Sequence, residues 1–169
     1  MSARPPILSV QNLKVAFGSR AVVHASSFEV ADGETVALVG ESGSGKSVTA
    51  LAVMRLLPAT SRIGGRLLLD GTDLLAQPES AMEKVRGKDI GMIFQEPMTS
   101  LNPVLTTGFQ VAEALRYHQG LSQREANAQA LRLFERVRIP DAKRRFDQFP
   151  HTFSGGMRQR IMIAMALAC

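Results

Sequence analysis

Gly40-Glu41-Ser42-Gly43-Ser44-Gly45-Lys46-Ser47 is the stretch that decides how this 169-residue chain is read. It satisfies G-x-x-x-x-G-K-[ST] at every fixed position. Just before it, Glu34–Val39 (ETVALV) is a compact β-branched apolar run bounded by glycines, which predicts a buried strand. Just after it, Ser47–Leu57 carries apolar residues on most faces, which predicts a buried helix stopped by Pro58. Strand, glycine-rich loop and helix start together make an anion cradle. The glycines let the backbone turn so that the N–H groups of Glu41, Ser42, Gly43, Ser44 and Gly45 point into one hollow. The positive end of the helix faces the same hollow. Lys46 is placed to reach β- and γ-phosphates, and the Ser47 hydroxyl to ligate Mg²⁺.

Outward from this loop the chain changes period. On the N-terminal side and up to residue 95, short β-like runs dominate: Leu8–Phe17, Ser27–Val30, Arg66–Leu69 between glycine turns, and Lys88–Gln95. Beyond the turn-rich Ser100-Leu101-Asn102-Pro103, the pattern is helical. Residues 107–118 form one helix. Ser122 with Glu125 makes a capping box for the next, which buries Ala126, Ala130, Phe134 and Val137 on one face. A short piece from Asp141 to Asp147 follows, and Met157 opens a last apolar helix. Before it, Ser154-Gly155-Gly156 repeats the physics of the first loop without its lysine: a hydroxyl, unpaired N–H groups and a helix dipole facing one point.

Composition bounds the class. With 45% apolar and 21% charged residues the chain suits a single soluble domain. One cysteine, Cys169, excludes a disulfide scaffold, and no apolar run approaches the length of a membrane span. The N-terminus lacks a secretory pattern, so a reducing compartment is expected. The net charge of +5 is local: residues 132–160 hold Arg132, Arg136, Arg138, Lys143, Arg144, Arg145, Arg158 and Arg160 against Glu135, Asp141 and Asp147. Such a stretch suits nucleic acid, anionic headgroups or a solvated helical face. Aromatic residues do not interleave with its cations as in a single-strand binder.

The phosphate loop at 40–47, a glutamine closing a strand at Gln95, and FSGGM at 153–157 resemble the nucleotide-binding domain of ATP-binding cassette (ABC) transporters. Phe153 and Met157 depart from the usual LSGGQ. With EPMTSLNP at 96–103 and PHTFSGGMRQR at 150–160, they look most like the peptide/nickel importer ATPases. The resemblance implies an α/β fold: an ABC-type P-loop NTPase core with an antiparallel β subdomain and a helical subdomain. It divides 1–169 into 1–96 (β subdomain and P-loop core), 97–155 (helical subdomain) and 156–169 (signature helix). It implies ATP and Mg²⁺ as cofactors. Phe17, 29 residues before Lys46, would stack on adenine; Gly40 to Ser47 would hold the phosphates. Lys46 and Gln95 would be catalytic, with Ser47 and Gln95 at the metal. Ser154, Gly155 and Gly156 would bind the γ-phosphate of ATP held by a second ATP-binding subunit. Transmembrane permease subunits, and indirectly a solute-binding protein, are the implied partners at the cytoplasmic face of the cell membrane. Nucleic acid is not expected among them.

The family's later strand, apolar and ending in Asp then Glu, has no match after Met157, and neither Asp70 nor Glu96 has the surroundings to replace it. His24, His118 and His151 do not fall where the switch histidine belongs. The last helix is apolar up to its final position, without a cap. A fragment with an incomplete parallel sheet is therefore expected, binding ATP with little or no hydrolysis. Three other readings stay open. A non-transport ABC ATPase would use residues 132–160 on nucleic acid. A P-loop kinase or GTPase would leave FSGGM unexplained and lacks an [NT]-K-x-D segment. A nucleotide-binding module would not turn ATP over even with its natural downstream sequence.

Overall fold

The computed structural model describes residues 5–95 and 100–168. Glu96 and Pro97, the first half of the 96–103 segment and Cys169 lie outside the described residues. The chain divides into two compact units, one up to Met82 and one from Glu83.

The first unit is built on an antiparallel sheet of β1 (Leu8–Phe17), β2 (Arg20–Val30), β3 (Ser61–Leu69) and the short β4 (Thr72–Asp73), in the order β2-β1-β3-β4. The central strand alternates: Val10, Leu13 and Val15 are buried, and Lys14 is exposed. The step from Val10 to Leu13 is odd because the pairing register shifts there, where Asn12 takes φ 53 and donates its N–H to Ser27 Oγ at 2.8 Å. The bulge adds one residue and returns Leu13 to the inner face. Helix α1 (Lys46–Val53) buries Thr49, Ala52 and Val53, and Leu67, Leu74 and Met82 are buried in the same unit. Helix α1 is shorter than the predicted 47–57: Met54 is already its C-cap and Arg55 has φ 51. The strand expected at Ser27–Val30 starts seven residues earlier, because β2 continues straight out of the Phe17–Arg20 hairpin. Helix α2 (Glu79–Lys88), unread from the sequence, has few apolar residues to mark it and is broken internally at Arg86 and Gly87.

Two predicted strands do not form. Glu34–Val39 has no ladder partner among the described residues, and Val36, Leu38 and Val39 are 40%, 45% and 87% exposed. Residues 88–95 make only an isolated bridge, Arg86 with Ile90, and Ile93 and Phe94 stay exposed. Apolar β-branched composition reports affinity for a sheet interior; the ladder itself requires neighbouring strands. Among the described residues there is accordingly no parallel sheet.

The second unit packs α3 (Thr107–Gln119), α4 (Gln123–Arg136), the single turn α5 (Ala142–Arg145) and α6 (Gly155–Ala166) around Phe134, Leu115, Val111 and Ile161, all essentially inaccessible to solvent. The predicted stripe Ala126, Ala130 and Phe134 is buried, and Val137 is the C-cap of α4. Helix α6 starts two residues before the predicted Met157, at Gly155. The N-terminus of α3 is held by residues 145–148. Buried Thr107 donates its N–H to Gln148 O (2.9 Å) and its hydroxyl to Gln148 O (3.2 Å) and Arg145 O (3.4 Å), and Gly108 N–H donates to Phe146 O (2.9 Å). Gln110 ties the preceding connector to the same helix, through Asn102 O at 3.0 Å and Leu105 O at 3.1 Å.

The capping box of α4 is present as predicted. Glu125 Oε2 accepts from the Ser122 hydroxyl (2.6 Å) and N–H (3.0 Å), while Ser122 Oγ accepts from Glu125 N–H (3.4 Å). The hydroxyl first, and the backbone N–H second, hold the Glu125 carboxyl below its ordinary titration range. A carboxyl lowered by folding stabilises fully above its unfolded pKa and loses that contribution as pH falls through the folded value. Ser122→Ala is expected to lower the melting temperature by roughly 4 °C at neutral pH, with the deficit narrowing in acid. Thermal melts at pH 7 and pH 3 check it, and an equal deficit at both would contradict the coupling to Glu125.

Candidate nucleotide-binding site

Helix α1 starts differently from the other long helices of known cap. Thr106, Ser122 and Ser154 cap α3, α4 and α6 with side-chain oxygens, whereas the N-cap of α1 is Gly45, left-handed at φ 91 and ψ 3, with no side-chain bond. The first intrahelical bond is Thr49 N–H to Gly45 O at 2.8 Å, so the N–H groups of Lys46, Ser47 and Val48 precede it. An uncapped start of this kind leaves N–H donors that suit an anion. Gly45 is also fixed by crowding: a Cβ there would lie 3.0 Å from both Val22 O and Val23 Cγ2 of β2. At Gly40 a Cβ would lie 2.7 Å from Ser44 Oγ.

Lys46 folds back over the loop. Its Nζ donates to Gly40 O and Glu41 O, each at 2.7 Å, and to Ser44 Oγ at 3.3 Å. Ser44 N–H donates to Glu41 O at 3.2 Å and closes the turn. Glu41, Ser42, Gly43 and Ser44 are exposed, as is Ser47 on the first turn of the helix. The donor set of the Lys46 ammonium, the exposed hydroxyls and the N–H groups at the start of α1 fits a chain of phosphate oxygens. Among the described residues no group of three His, Cys, Asp or Glu side chains is arranged to hold a metal ion. Phe17 belongs to the same unit, half-buried at the end of β1 and paired with Arg20 and Ser61.

Gln95 and the second glycine-rich turn belong to the other unit. Gln95 is exposed. Ser154 Oγ accepts from Met157 N–H at 3.4 Å, and Gly155 and Gly156 are exposed, with nothing within 4 Å of a Cβ built on either. The turn is anchored by Phe153, 2% exposed in the helical core. Arg158 Nε donates to Phe153 O at 2.9 Å, and the Arg145 guanidinium lies 5.7 Å from the centre of its ring. The sequence names both arginines among the cations of residues 132–160, but nothing local shows that they meet Phe153. Two more have structural partners: Arg144 pairs with Asp141 at 3.3 Å, and Arg160 caps the end of α4 through Arg138 O (2.7 Å) and Val137 O (3.4 Å).

Residues 23–169 match the family model described as ABC transporter, and the chain belongs to that family. Over 180 residues it is 54% identical to a protein of Brucella abortus (strain 2308) named "Putative peptide import ATP-binding protein BAB2_0817", covering 99% of this chain and 53% of that protein. A protein of Brucella suis biovar 1 (strain 1330), also named for peptide import, is 51% identical over 168 residues, or 96% of this chain and 51% of its own length. The chain thus spans about half the length of the curated relatives it matches. Among solved structures, the dimeric ATP-binding cassette MJ0796 in a post-hydrolysis state with ADP and Pi superposes with a TM-score of 0.82 at 26% identity, covering 95% of this chain and 69% of that one. The ATP-binding subunit of an ABC transporter superposes with a TM-score of 0.75 at 29% identity, covering 96% and 62%. The fold is that of the ABC ATPase cassettes, as the sequence implied.

Proposed function

We propose that the chain is the nucleotide-binding part of a transporter subunit that binds ATP with Mg²⁺ and couples its hydrolysis to import of peptides. The observation that carries this is the uncapped start of α1 beneath the Lys46 ammonium. In this reading the loop N–H groups and Lys46 bind the triphosphate, Phe17 stacks on the base, and Ser47 orients the ion. Mg²⁺, when bound, offsets the negative charge of the phosphate oxygens. Gln95 acts near the ion and the attacking water. The Ser154–Gly156 turn of one subunit closes on the γ-phosphate held by another. The helical part faces permease subunits at the cytoplasmic side of the membrane; among the described residues, no helix is long and apolar enough to cross it.

Peptides are favoured as cargo by the names of the relatives. A nucleic-acid role is disfavoured because Arg144, Arg145, Arg158 and Arg160, four of the eight cations in residues 132–160, are engaged within their own unit. The test is reconstitution of the full-length subunit with its membrane partners in lipid vesicles. ATP-dependent uptake of labelled short peptides is expected, and hydrolysis without uptake of any peptide offered would refute the cargo. A DNA affinity falling steeply with salt would support the nucleic-acid reading instead.

A further inference from the structure

The basic stretch holds one arginine that the function above does not use. Arg145 ends the single turn α5. Its Nε is buried and finds no hydrogen-bond partner among the described residues, and the same is true of Gln148 Oε1, three residues on. A guanidinium N–H shielded from water normally donates to a carboxylate or carbonyl. Here the residue as a whole is half-buried, and the guanidinium carbon lies 5.7 Å from the centre of the Phe153 ring, within the range of a cation–π contact. Phe153 is the residue before Ser154, and its carbonyl accepts from Arg158 Nε at 2.9 Å. The main chain of the arginine is tied as well: Arg145 O accepts from buried Thr107 at the head of α3 and from Gln148 N–H. Arg145 thus touches both the head of α3 and the anchor of the glycine-rich turn.

We infer that Arg145 is a positioning residue for the Ser154-Gly155-Gly156 turn, acting through the Phe153 ring. The inference rests on the reading of that turn as a phosphate site. A turn with no side chains at two of its three positions is directed only by its backbone, and its backbone is directed by Phe153. An apolar residue at 145 would fill the space equally well; a cation over the ring adds a preferred ring orientation, and with it a preferred direction for the Ser154 hydroxyl and the N–H groups of the turn. The effect belongs to the step in which the turn meets phosphate, not to nucleotide binding by the loop at 40–47.

The test uses the full-length subunit assembled with its membrane partners. Arg145→Ala is expected to lower kcat for ATP hydrolysis about tenfold while KM for MgATP stays within about twofold, and Arg145→Lys, which keeps the charge over the ring, to recover most of the loss. Should Arg145→Ala fold poorly, Phe153→Leu gives the second route. It keeps an apolar anchor without a π-face, lowers kcat similarly, and removes any difference between arginine and lysine at 145. An unchanged kcat in Arg145→Ala overturns the inference. So does a lysine variant no better than alanine while Phe153 is intact. Ser154→Ala separates the two levels. If it leaves kcat intact, the phosphate reading of the turn fails and the inference with it. If it lowers kcat and Arg145→Ala does not, only the inference fails.

Discussion

Lys46→Ala is expected to reduce the affinity of the full-length subunit for ATP by at least about 100-fold, from the loss of two charge-assisted hydrogen bonds of about 1.5–3 kcal/mol each. The ammonium sits over the loop with three acceptors, two of them main-chain carbonyls at 2.7 Å. In the proposed complex, part of its interaction with phosphate would replace contacts it already has. That exchange is why the expected loss is taken from the low end of this range. Lys46→Arg should rescue little, since a planar fork cannot settle between the Gly40 and Glu41 carbonyls as a compact ammonium does. Equilibrium binding of a fluorescent ATP analogue measures both variants. An alanine variant of unaltered affinity removes the phosphate-loop assignment.

Gly156→Asp should leave the fold intact and lower ATP turnover by at least about 100-fold, because a carboxylate would stand where an anion has to approach. The glycine is not required by its own unit: it is helical, exposed, and has open space where a Cβ would be. Glycine in a helix is unfavourable by about 1 kcal/mol relative to alanine, so Gly156→Ala should hold or raise the melting temperature. Gly155 and Gly156 leave open space at the first turn of α6, where the proposed function brings the γ-phosphate. Melting temperature, binding of ATP by the full-length subunit and steady-state turnover separate the outcomes. Turnover fully retained by Gly156→Asp would mean that no phosphate comes to this turn.

The features legible in the sequence were those specified by neighbours along the chain. The phosphate loop, the Ser122–Glu125 capping box, the buried face of Ala126, Ala130 and Phe134, and the Ser154 cap all follow from spacing over a few residues. Features set by distant partners were not legible. Glu34–Val39 has the composition of an interior strand and lies exposed, because pairing is a property of two segments. The bulge at Asn12 depends on the Ser27 hydroxyl fifteen residues away. The clamp on Phe153 needs Arg145 brought over its ring by the packing of α5. The candidate site divides in the same way: the two glycine-rich turns proposed to meet phosphate could be named from the chain, while the contacts of Arg145 and Arg158 with Phe153 could not.

The stowed position of Lys46 also bears on how quickly a cycle can restart. Three oxygens of the loop itself receive the ammonium. In the proposed cycle a departing diphosphate would therefore leave behind a cation that its own chain neutralises, each lysine–phosphate contact broken on exit being exchanged for one within the loop.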